Sequence, residues 1–265
     1  MADHFRLGTA VITGAATGVG RATSLLFARD GCRKLFLGDI SEPALQETRN
    51  LILEKYPEAK IVTSKLDVVN ESSMDAFYAS AVETFGRIDF AVNIASAEHA
   101  GAPSIVVPQS DFQATYEKIL RAAFLCERAE LRQMTKQEPL EGYQSRGSIV
   151  NVTSLCSTIA MPGLSAFSGT QGGILGMSKT DALDFGPQKI RVNCVAPGNV
   201  ASYMLDSEMG EEDQKHYASR TPLRRLGQLE DIANAVIWLS SPMAAYITGI
   251  SLPVDGGFSL TTGPP

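Results

Sequence analysis

Apolar runs of strand length alternate with amphipathic stretches of helix length along most of the chain. The apolar runs are rich in Val, Ile, Leu and Phe and hold few charges, which is typical of strands covered on both faces of a sheet. They predict seven strands, at residues 10–13, 34–38, 60–65, 90–94, 148–153, 191–195 and 251–254. The amphipathic stretches predict six helices, at residues 18–30, 42–55, 71–85, 111–134, 165–185 and 229–241.

This alternation predicts the fold class. Strand, helix and strand in repeated order indicate parallel pairing with right-handed crossovers. We therefore expect an α/β protein with one doubly wound parallel sheet of about seven strands, helices on both faces, and a single domain over residues 1–265. Ligands bind such a sheet at the carboxyl ends of its strands. The long charged segment 201–222 follows a predicted strand end, which favours a lid over that edge, with a solvated surface insertion as the alternative.

Composition and charge remove several classes of function. The chain has 265 residues, 44% of them hydrophobic, and a net charge of −6 without a run rich in Lys and Arg, so we expect no nucleic-acid partner. We see no apolar run long enough to span a bilayer and no basic-then-apolar leader, which predicts a cytoplasmic protein without a membrane partner. The four cysteines lack metal-ligand or redox spacing, so we interpret them as reduced packing residues, and we expect no metal site.

A glycine-rich turn lies between the first predicted strand and the first predicted helix. Residues 13–20 read Thr-Gly-Ala-Ala-Thr-Gly-Val-Gly. Gly14 permits the turn, while Gly18 and Gly20 allow the backbone to approach a pyrophosphate and the helix to pack close to the sheet. Thr17 and Val19 belong to the same turn, whose helix amino terminus offers free N–H groups to phosphates. The position of this turn, between a strand and a helix, predicts a dinucleotide site.

Polar residues at the next strand ends extend that site. Asp39 ends the second predicted strand about 20 residues on, where a carboxylate accepts hydrogen bonds from the adenosine ribose and repels a 2′-phosphate. It favours NAD(H) over NADP(H), with a surface turn aspartate as the alternative. Asp67, with Val68 beside it, ends the third strand and is placed for the adenine. Asn93 and Ala95 end the fourth, where Asn93 has the alternative role of tying neighbouring strands together.

At this point the chain resembles the short-chain dehydrogenase/reductase family over nearly its whole length. The resemblance implies a single Rossmann-type domain, a nicotinamide cofactor and a homotetramer or homodimer built on the two long helices. It also implies cofactor contacts from Gln171, Pro197, Gly198, Val200 and Ser202. The matching segments are residues 13–20, 67–68, 93–96, 190–193, 195–198, 220–223 and 254–257.

The catalytic positions of that family depart from its pattern. Ser154 matches the serine that hydrogen-bonds the substrate oxygen. Thirteen residues on, Phe167 stands where the resemblance implies the tyrosine acid, and Gln171 stands where it implies the lysine. Ile119 occupies the position of the asparagine that holds a relay water. The ring at 167 is kept while its proton donor is removed, so ordinary ketone reduction loses its acid.

The same substitutions predict an apolar substrate pocket around one hydroxyl. Its expected lining residues are Ile119, Leu155, Met161, Phe167 and Met204. Such a lining suggests a bulky, hydrophobic small molecule. Three other groups near the ligand edge are alternative catalytic acids or bases, namely Glu98, His99 and Tyr203, although loop charges are commonly solvated and Tyr203 has the alternative of packing on the lid.

Three functions remain open from these residues. The first is non-redox chemistry on a biosynthetic small molecule, such as cyclisation, isomerisation, dehydration or cycloaddition, in which the pocket positions the reacting groups. The second is an NAD(P)H-dependent reductase of an iminium ion or activated carbonyl that needs no acid. The third is a non-catalytic subunit that senses the cofactor or completes a hetero-oligomer. Intact cofactor motifs favour the second, and the altered acid position favours the first.

Overall fold

A computed structural model describes residues 5–94, 101–201 and 210–261. Within them the chain forms one sheet of seven parallel strands, in agreement with the predicted fold class. Each strand lies within three residues of its predicted bounds. The strands are β1 (Thr9–Thr13), β2 (Lys34–Asp39), β3 (Lys60–Lys65), β4 (Phe90–Ile94), β5 (Gly147–Val152), β6 (Ile190–Pro197) and β7 (Ser251–Val254).

The strand order is β3-β2-β1-β4-β5-β6-β7. The chain adds β2 and β3 on one side of β1 and then adds β4 to β7 on the other side, so the order reverses between β1 and β4. Thr13, the last residue of β1, pairs with Gly38 on one side and with Asn93 on the other. Because all strands are parallel, their carboxyl ends share one edge, and the crevice between β1 and β4 is where doubly wound folds bind ligands.

The helices also follow the predicted bounds closely. One predicted helix, 111–134, is longer at its start and is interrupted by a π-helical turn, and one observed helix lies inside the lid candidate 201–222. The helices are α1 (Gly18–Arg29), α2 (Glu42–Lys55), α3 (Glu71–Phe85), α4 (Gln109–Tyr116), the π turn (Glu117–Arg121), α5 (Ala122–Met134), α6 (Ser165–Phe185), α7 (Glu211–Arg220) and α8 (Leu229–Ser240). Among the described helices, none has both the length and the apolar character needed to cross a bilayer.

Two buried clusters of apolar side chains cover the two faces of the sheet. Strand β1 shows the alternation, since Ala10 and Ile12 belong to one cluster and Val11 to the other. The first cluster joins the sheet to α1, α2 and α8, and the second joins it to α3, α5 and α6. Apolar side chains therefore cover both faces of the sheet, and the ends of the strands are left for ligands.

All four cysteines are buried free thiols, which agrees with their interpretation as packing residues. Burial raises the pKa of Cys32 and of Cys194 to about 12. These thiols are therefore protonated and unreactive near neutral pH.

A buried polar network ties β4 and β5 to α5 directly below the ligand edge. Asn93 donates from Nδ2 to Asn151 Oδ1 at 3.0 Å and to Glu130 Oε2 at 3.0 Å. Asn151 in turn donates to Ser178 Oγ at 2.8 Å and to Glu127 Oε2 at 3.2 Å. The side chain of Asn93 thus performs the strand-tying role weighed for it above.

Two glutamates of α5 are fully buried in this network. Burial raises the pKa of Glu130 to about 7, although Tyr78 and Asn93 donate hydrogen bonds that lower it. Burial also raises the pKa of Glu127 well above its ordinary value, and the neighbouring carboxyl of Asp181 raises it further. Oxygen Oε1 of Glu127 has no hydrogen-bond partner among the described residues, which adds to the cost of charging this carboxyl group.

Replacing Glu130 with glutamine should remove a pH-dependent loss of stability. The pKa of Glu130 is about 7 in the folded chain against 4.5 for an ordinary glutamate. The unfolded chain therefore loses the proton first, and the wild type loses about 1.4 kcal/mol per pH unit between these two values as the pH rises. Glu130→Gln keeps a donor and an acceptor toward Tyr78 and Asn93 without titrating. Urea unfolding at pH 5 and pH 8 should show the variant gaining about 3 kcal/mol relative to wild type.

Glu71→Gln is the matched control. Glu71 is exposed, and its hydrogen bond from Arg128 lowers its pKa, so it stays charged between pH 5 and 8. Its difference from wild type should not change across that range. Equal pH slopes for Glu130→Gln and wild type would show that Glu130 is charged in the folded chain.

Candidate functional site

The turn between β1 and α1 brings the backbone closer to itself than any side chain would allow. A Cβ atom on Gly20 would lie 1.9 Å from the carbonyl oxygen of Gly14. Gly14 itself has φ of +69°, and a Cβ there would lie 2.5 Å from the carbonyl oxygen of Ile94. A Cβ on Gly18 would meet no atom within 4 Å, so that side of the turn faces open space at the ligand edge. These are the contacts expected of a turn that cradles a pyrophosphate.

Hydrogen bonds from α1 and α2 hold this turn in place. The hydroxyl of Thr48 lies 3.1 Å from the carbonyl oxygens of both Ala15 and Ala16. Arg21 donates from Nε to the carbonyl of Ala16 at 2.9 Å and to Thr48 Oγ1 at 3.0 Å. The carbonyls therefore point into the protein. Thr17, at the amino terminus of α1, makes no capping hydrogen bond with its side chain, so N–H groups of the first helical turn are left for a ligand.

Asp39 lies beside this turn at the end of β2. Its Oδ2 accepts a hydrogen bond from the amide of Ala16 at 3.1 Å, and its Oδ1 accepts one from the amide of Ser41 at 3.1 Å. Each oxygen keeps a second acceptor position, as a ribose diol requires. The next residue, Ile40, is exposed and apolar. The sequence analysis did not single out Ile40, although its position directly after Asp39 was a usable signal.

Ser154 follows β5 and begins a short 3₁₀ turn, Leu155–Ser157. Its Oγ accepts a hydrogen bond from the amide of Cys156 at 3.2 Å, which leaves the hydroxyl proton available to a substrate oxygen or nitrogen. Phe167, in the first turn of α6, is half-buried and packs against a cluster that contains Ile119 and Cys194. A phenyl ring in this place packs as a tyrosine would and donates no proton.

Ile119 lies at the centre of the π-helical turn. The amide of Ala122 bonds to the carbonyl of Glu117, five residues back, which defines the turn. Such turns inside α-helices are frequent at functional sites. The side chain of Ile119 is fully buried in the apolar cluster against which Phe167 packs, so it offers no polar group where the resemblance implies an asparagine.

Gln171 is 1% exposed, yet its carbonyl oxygen Oε1 has no hydrogen-bond donor. A buried amide oxygen without a donor costs about 1 to 3 kcal/mol, so it is normally paired. Its position, one helical turn after Phe167, is the one where the resemblance implies a contact with the nicotinamide ribose. A ribose hydroxyl would supply the missing donor.

The predicted apolar pocket is divided between two packed groups. Ile119 and Phe167 belong to the group described above, whereas Leu155 and Met161 belong to a second group with Ala196 and Phe258. Leu155 is 1% exposed, while Met161 is half-buried and lines an open cavity. Met161 is therefore the member of this set that reaches that cavity.

The remaining predicted residues lie along the same sheet edge. Asp67 accepts the amide of Val69 at 3.1 Å, and Val68 packs against the core below it. Val19 packs on the opposite face. Beyond β6, the amide of Gly198 donates to the carbonyl of Val254, while Pro197 ends the strand and Val200 forms an isolated bridge with Gly227.

Six of the sequence-derived site residues lie outside the described residues. They are Ala95, Glu98 and His99 in one gap, and Ser202, Tyr203 and Met204 in the other. The sequence analysis also missed Asn199, which lies between Gly198 and Val200 and holds a buried Nδ2 without an acceptor. Its place after a strand end was the available signal. Within 5–94, 101–201 and 210–261, no group of three or more His, Cys, Asp or Glu side chains is arranged to hold a metal ion.

Comparison with known proteins finds relatives over nearly the whole chain. The family model described as Enoyl-(Acyl carrier protein) reductase matches residues 14–259. The oxidoreductase YxbG of Bacillus subtilis is 33% identical over 97% of this chain and 92% of its own length. The 3-oxoacyl-[acyl-carrier-protein] reductase FabG of Thermotoga maritima is 33% identical over 93% of this chain and 96% of its own.

The architecture is shared as well. The crystal structure of levodione reductase superposes with a TM-score of 0.90 at 29% identity, and the match covers 97% of this chain and 100% of that one. These relatives are named as oxidoreductases or reductases.

Gly20→Ala should disrupt the turn. The new methyl group would overlap the carbonyl oxygen of Gly14, so the turn has to open or α1 has to move. We expect a loss of about 3 kcal/mol in the free energy of unfolding and weaker NADH binding. Gly176→Ala is the control, because a Cβ there meets no atom within 4 Å and alanine favours a helix by up to about 1 kcal/mol. Chemical denaturation of both variants and the wild type measures the free energies of unfolding. A Gly20→Ala variant as stable as the wild type would contradict the close approach of Gly20 to the carbonyl of Gly14.

Proposed function

We propose, since this chain belongs to the short-chain dehydrogenase/reductase family, that it is an NADH-dependent reductase whose substrate needs no proton from the protein. The electrophile is an iminium ion within a bulky, apolar small molecule. One observation carries the proposal: Phe167 keeps the ring of the acid position and lacks its hydroxyl, while the cofactor turn is intact.

The described residues fit a nicotinamide dinucleotide at three separate points. The open side of Gly18 and the uncapped start of α1 fit a pyrophosphate. Asp39 keeps acceptor capacity for the adenosine ribose, and its negative charge beside the apolar Ile40 disfavours a 2′-phosphate, which supports NADH over NADPH. The undonated oxygen of Gln171 fits a hydroxyl of the nicotinamide ribose.

Charge balance explains why the missing acid selects the substrate. The bound cofactor supplies a hydride, which is two electrons and one hydrogen nucleus. A ketone that accepts a hydride becomes an alkoxide and must take up a proton, and general acids typically contribute about 10² to 10⁴ to such rates. An iminium carbon that accepts a hydride returns its π electrons to nitrogen and leaves a neutral amine. No proton is needed, so the missing hydroxyl at Phe167 does not slow this reaction.

Ser154 and the apolar cluster around Phe167 complete the proposed site. The free hydroxyl proton of Ser154 orients an oxygen elsewhere on the substrate, since an iminium nitrogen has no lone pair. The cluster that contains Ile119 and Phe167 excludes water from the reacting carbon. Excluding water also protects an iminium ion from hydrolysis. We place Leu155, Met161 and Met204 around the body of the substrate, and we place Val19, Asp67, Val68, Asn93, Ala95, Pro197, Gly198, Val200 and Ser202 along the cofactor.

The non-redox alternative rests on the same apolar cluster, since positioning alone accelerates ring formation. It gives no use to the hydride, and the relatives compared above are named for redox chemistry, so the reductase is the better supported of the two. The sensor alternative gives no use to Ser154. Glu98, His99 and Tyr203 remain candidate proton donors for a substrate that does need one. A homotetramer or homodimer, a single domain over 1–265, a lid at 201–222 and a cytoplasmic location remain predictions.

A pair of matched substrates tests the proposed reaction. N-methyl-dihydroisoquinolinium carries a permanent iminium, and α-tetralone places a ketone at the equivalent carbon of a similar bicycle. We expect NADH absorbance to fall in step with tertiary amine for the first and to stay flat for the second. Phe167→Tyr should leave the iminium rate unchanged and add little ketone turnover, since Gln171 supplies no charge and Ile119 holds no water. Comparable turnover of both substrates by the wild type would refute the proposal.

Gln171→Leu should change stability and affinity in opposite directions. Removing a buried oxygen that lacks a donor should raise the free energy of unfolding of the ligand-free protein by about 1 kcal/mol. Losing the proposed ribose contact should raise the Kd for NADH about fivefold to tenfold, which is the cost of one hydrogen bond. Nicotinamide fluorescence titration with NADH and NADPH, together with urea unfolding, measures both. Gln228→Leu, at the start of α8, is the control for affinity. Unchanged NADH affinity in Gln171→Leu would refute the proposed contact between Gln171 and the nicotinamide ribose.

A further inference from the structure

A cavity of about 140 Å³ lies beside the segment that follows the 3₁₀ turn of Ser154. Its described lining residues are Ile159, Ala160, Met161, Arg220, Phe258, Ser259 and Thr261. Leu155, the neighbour of Ser154, packs in the same cluster as Phe258, Ile159 and Met161, so one layer of packed side chains is common to the cavity wall and to the catalytic edge. This proximity makes the cavity a candidate site for the distal part of a substrate held at Ser154.

The carboxyl end of α7 is fixed above this cavity by the turn that follows β7. Thr221 is buried, and a Cβ on Gly256 would lie 2.6 Å from its Cγ2 atom. The amide of Leu223 donates to the carbonyl of Gly256 at 3.2 Å. Asp255 shapes the turn, because its carboxylate accepts hydrogen bonds from the amides of Gly257 and Ser259 at 2.9 and 2.8 Å. The last residue of α7 is thereby held at a defined place on the cavity wall.

That last residue is Arg220, the single charged side chain among the seven described residues that line the cavity. Its guanidinium lies over the ring of Phe258, 5.8 Å from the centroid, and the ring of Tyr217 lies 6.5 Å from that of Phe258. Stacking on an aromatic face orients the plane of an arginine without using its N–H groups. A guanidinium carries five N–H donors, and a carboxylate in the bidentate geometry uses two of them. Binding an acid here is therefore compatible with a further partner of Arg220.

We propose that the substrate carries a carboxylate, which Arg220 binds while the apolar body of the substrate lies against Ile159, Met161 and Phe258. This refines the substrate class of the reductase proposed above and rests on it for the reaction, but not for the binding. A cavity whose described lining combines apolar side chains, two hydroxyl groups and one cation favours a molecule with an apolar body and an anionic end. The carboxylate also fixes which end of the molecule approaches Ser154.

A binding experiment tests this without requiring turnover. The probes are para-trifluoromethylbenzoate and its uncharged amide, para-trifluoromethylbenzamide, titrated with the full-length protein at saturating NADH and followed by fluorine NMR. We expect the acid to bind about tenfold more tightly than the amide, as one charge-assisted contact supplies. Arg220→Met should abolish this preference, and Arg220→Lys should keep part of it, since an ammonium attracts a carboxylate without the bidentate geometry.

The controls separate this proposal from the proposed reaction and from loss of fold. Arg225→Met removes an arginine five residues away that pairs with Asp231, and it should keep the preference for the acid. The thermal unfolding midpoint and the NADH affinity of Arg220→Met should match those of wild type. Equal binding of acid and amide by wild type, an acid preference that survives in Arg220→Met, or weaker NADH binding in that variant would overturn the proposal. Failure of iminium reduction with an intact acid preference would refute the reaction alone.

Discussion

The contact between the backbone at Gly20 and the carbonyl of Gly14 is the constraint on which the ligand edge depends. With 1.9 Å between that oxygen and the position of a Cβ, only glycine lets α1 start directly beneath the end of β1. The same turn places the amide of Ala16 against Asp39, which joins the ends of the two strands into one surface. Because β1 is central in the sheet, this surface lies in the crevice where the strand order reverses.

The proposed catalytic side of that crevice is built from three local elements. A π turn surrounds Ile119, α6 places residues 167 and 171 one turn apart, and Ser154 begins a 3₁₀ turn. The phenyl ring of Phe167 carries no ionisable proton, and the amide oxygen of Gln171 has no donor. In the proposed function these two side chains take the places of an acid and a cation, so the scaffold orients a substrate while offering it no proton at position 167.

Much of this was readable from the sequence, for identifiable reasons. Strands buried on both faces are continuous apolar runs, so all seven were found with nearly correct ends. Helix α7 was missed because its residues, 211–220, are almost all polar and show no apolar period. Glu127 and Glu130 lie in a predicted amphipathic helix, where charged residues are ordinarily exposed, and only the fold shows that they point inward to Asn151 and Asn93. A π turn has no distinct residue preference. Whether Gln171 Oε1 has a hydrogen-bond donor depends on every side chain around it, which the sequence does not give.

The reactivity of the buried cysteines can report which part of this protein unfolds. A thiol whose pKa is raised to about 12 reacts with an alkylating reagent only when the chain around it unfolds far enough to admit water. Cys156 adjoins Ser154 at the ligand edge, whereas Cys32 lies before β2 at the opposite edge of the sheet. Alkylation followed residue by residue in a mass spectrometer therefore separates breathing of the catalytic edge from unfolding of the whole sheet, without introducing any label by mutation.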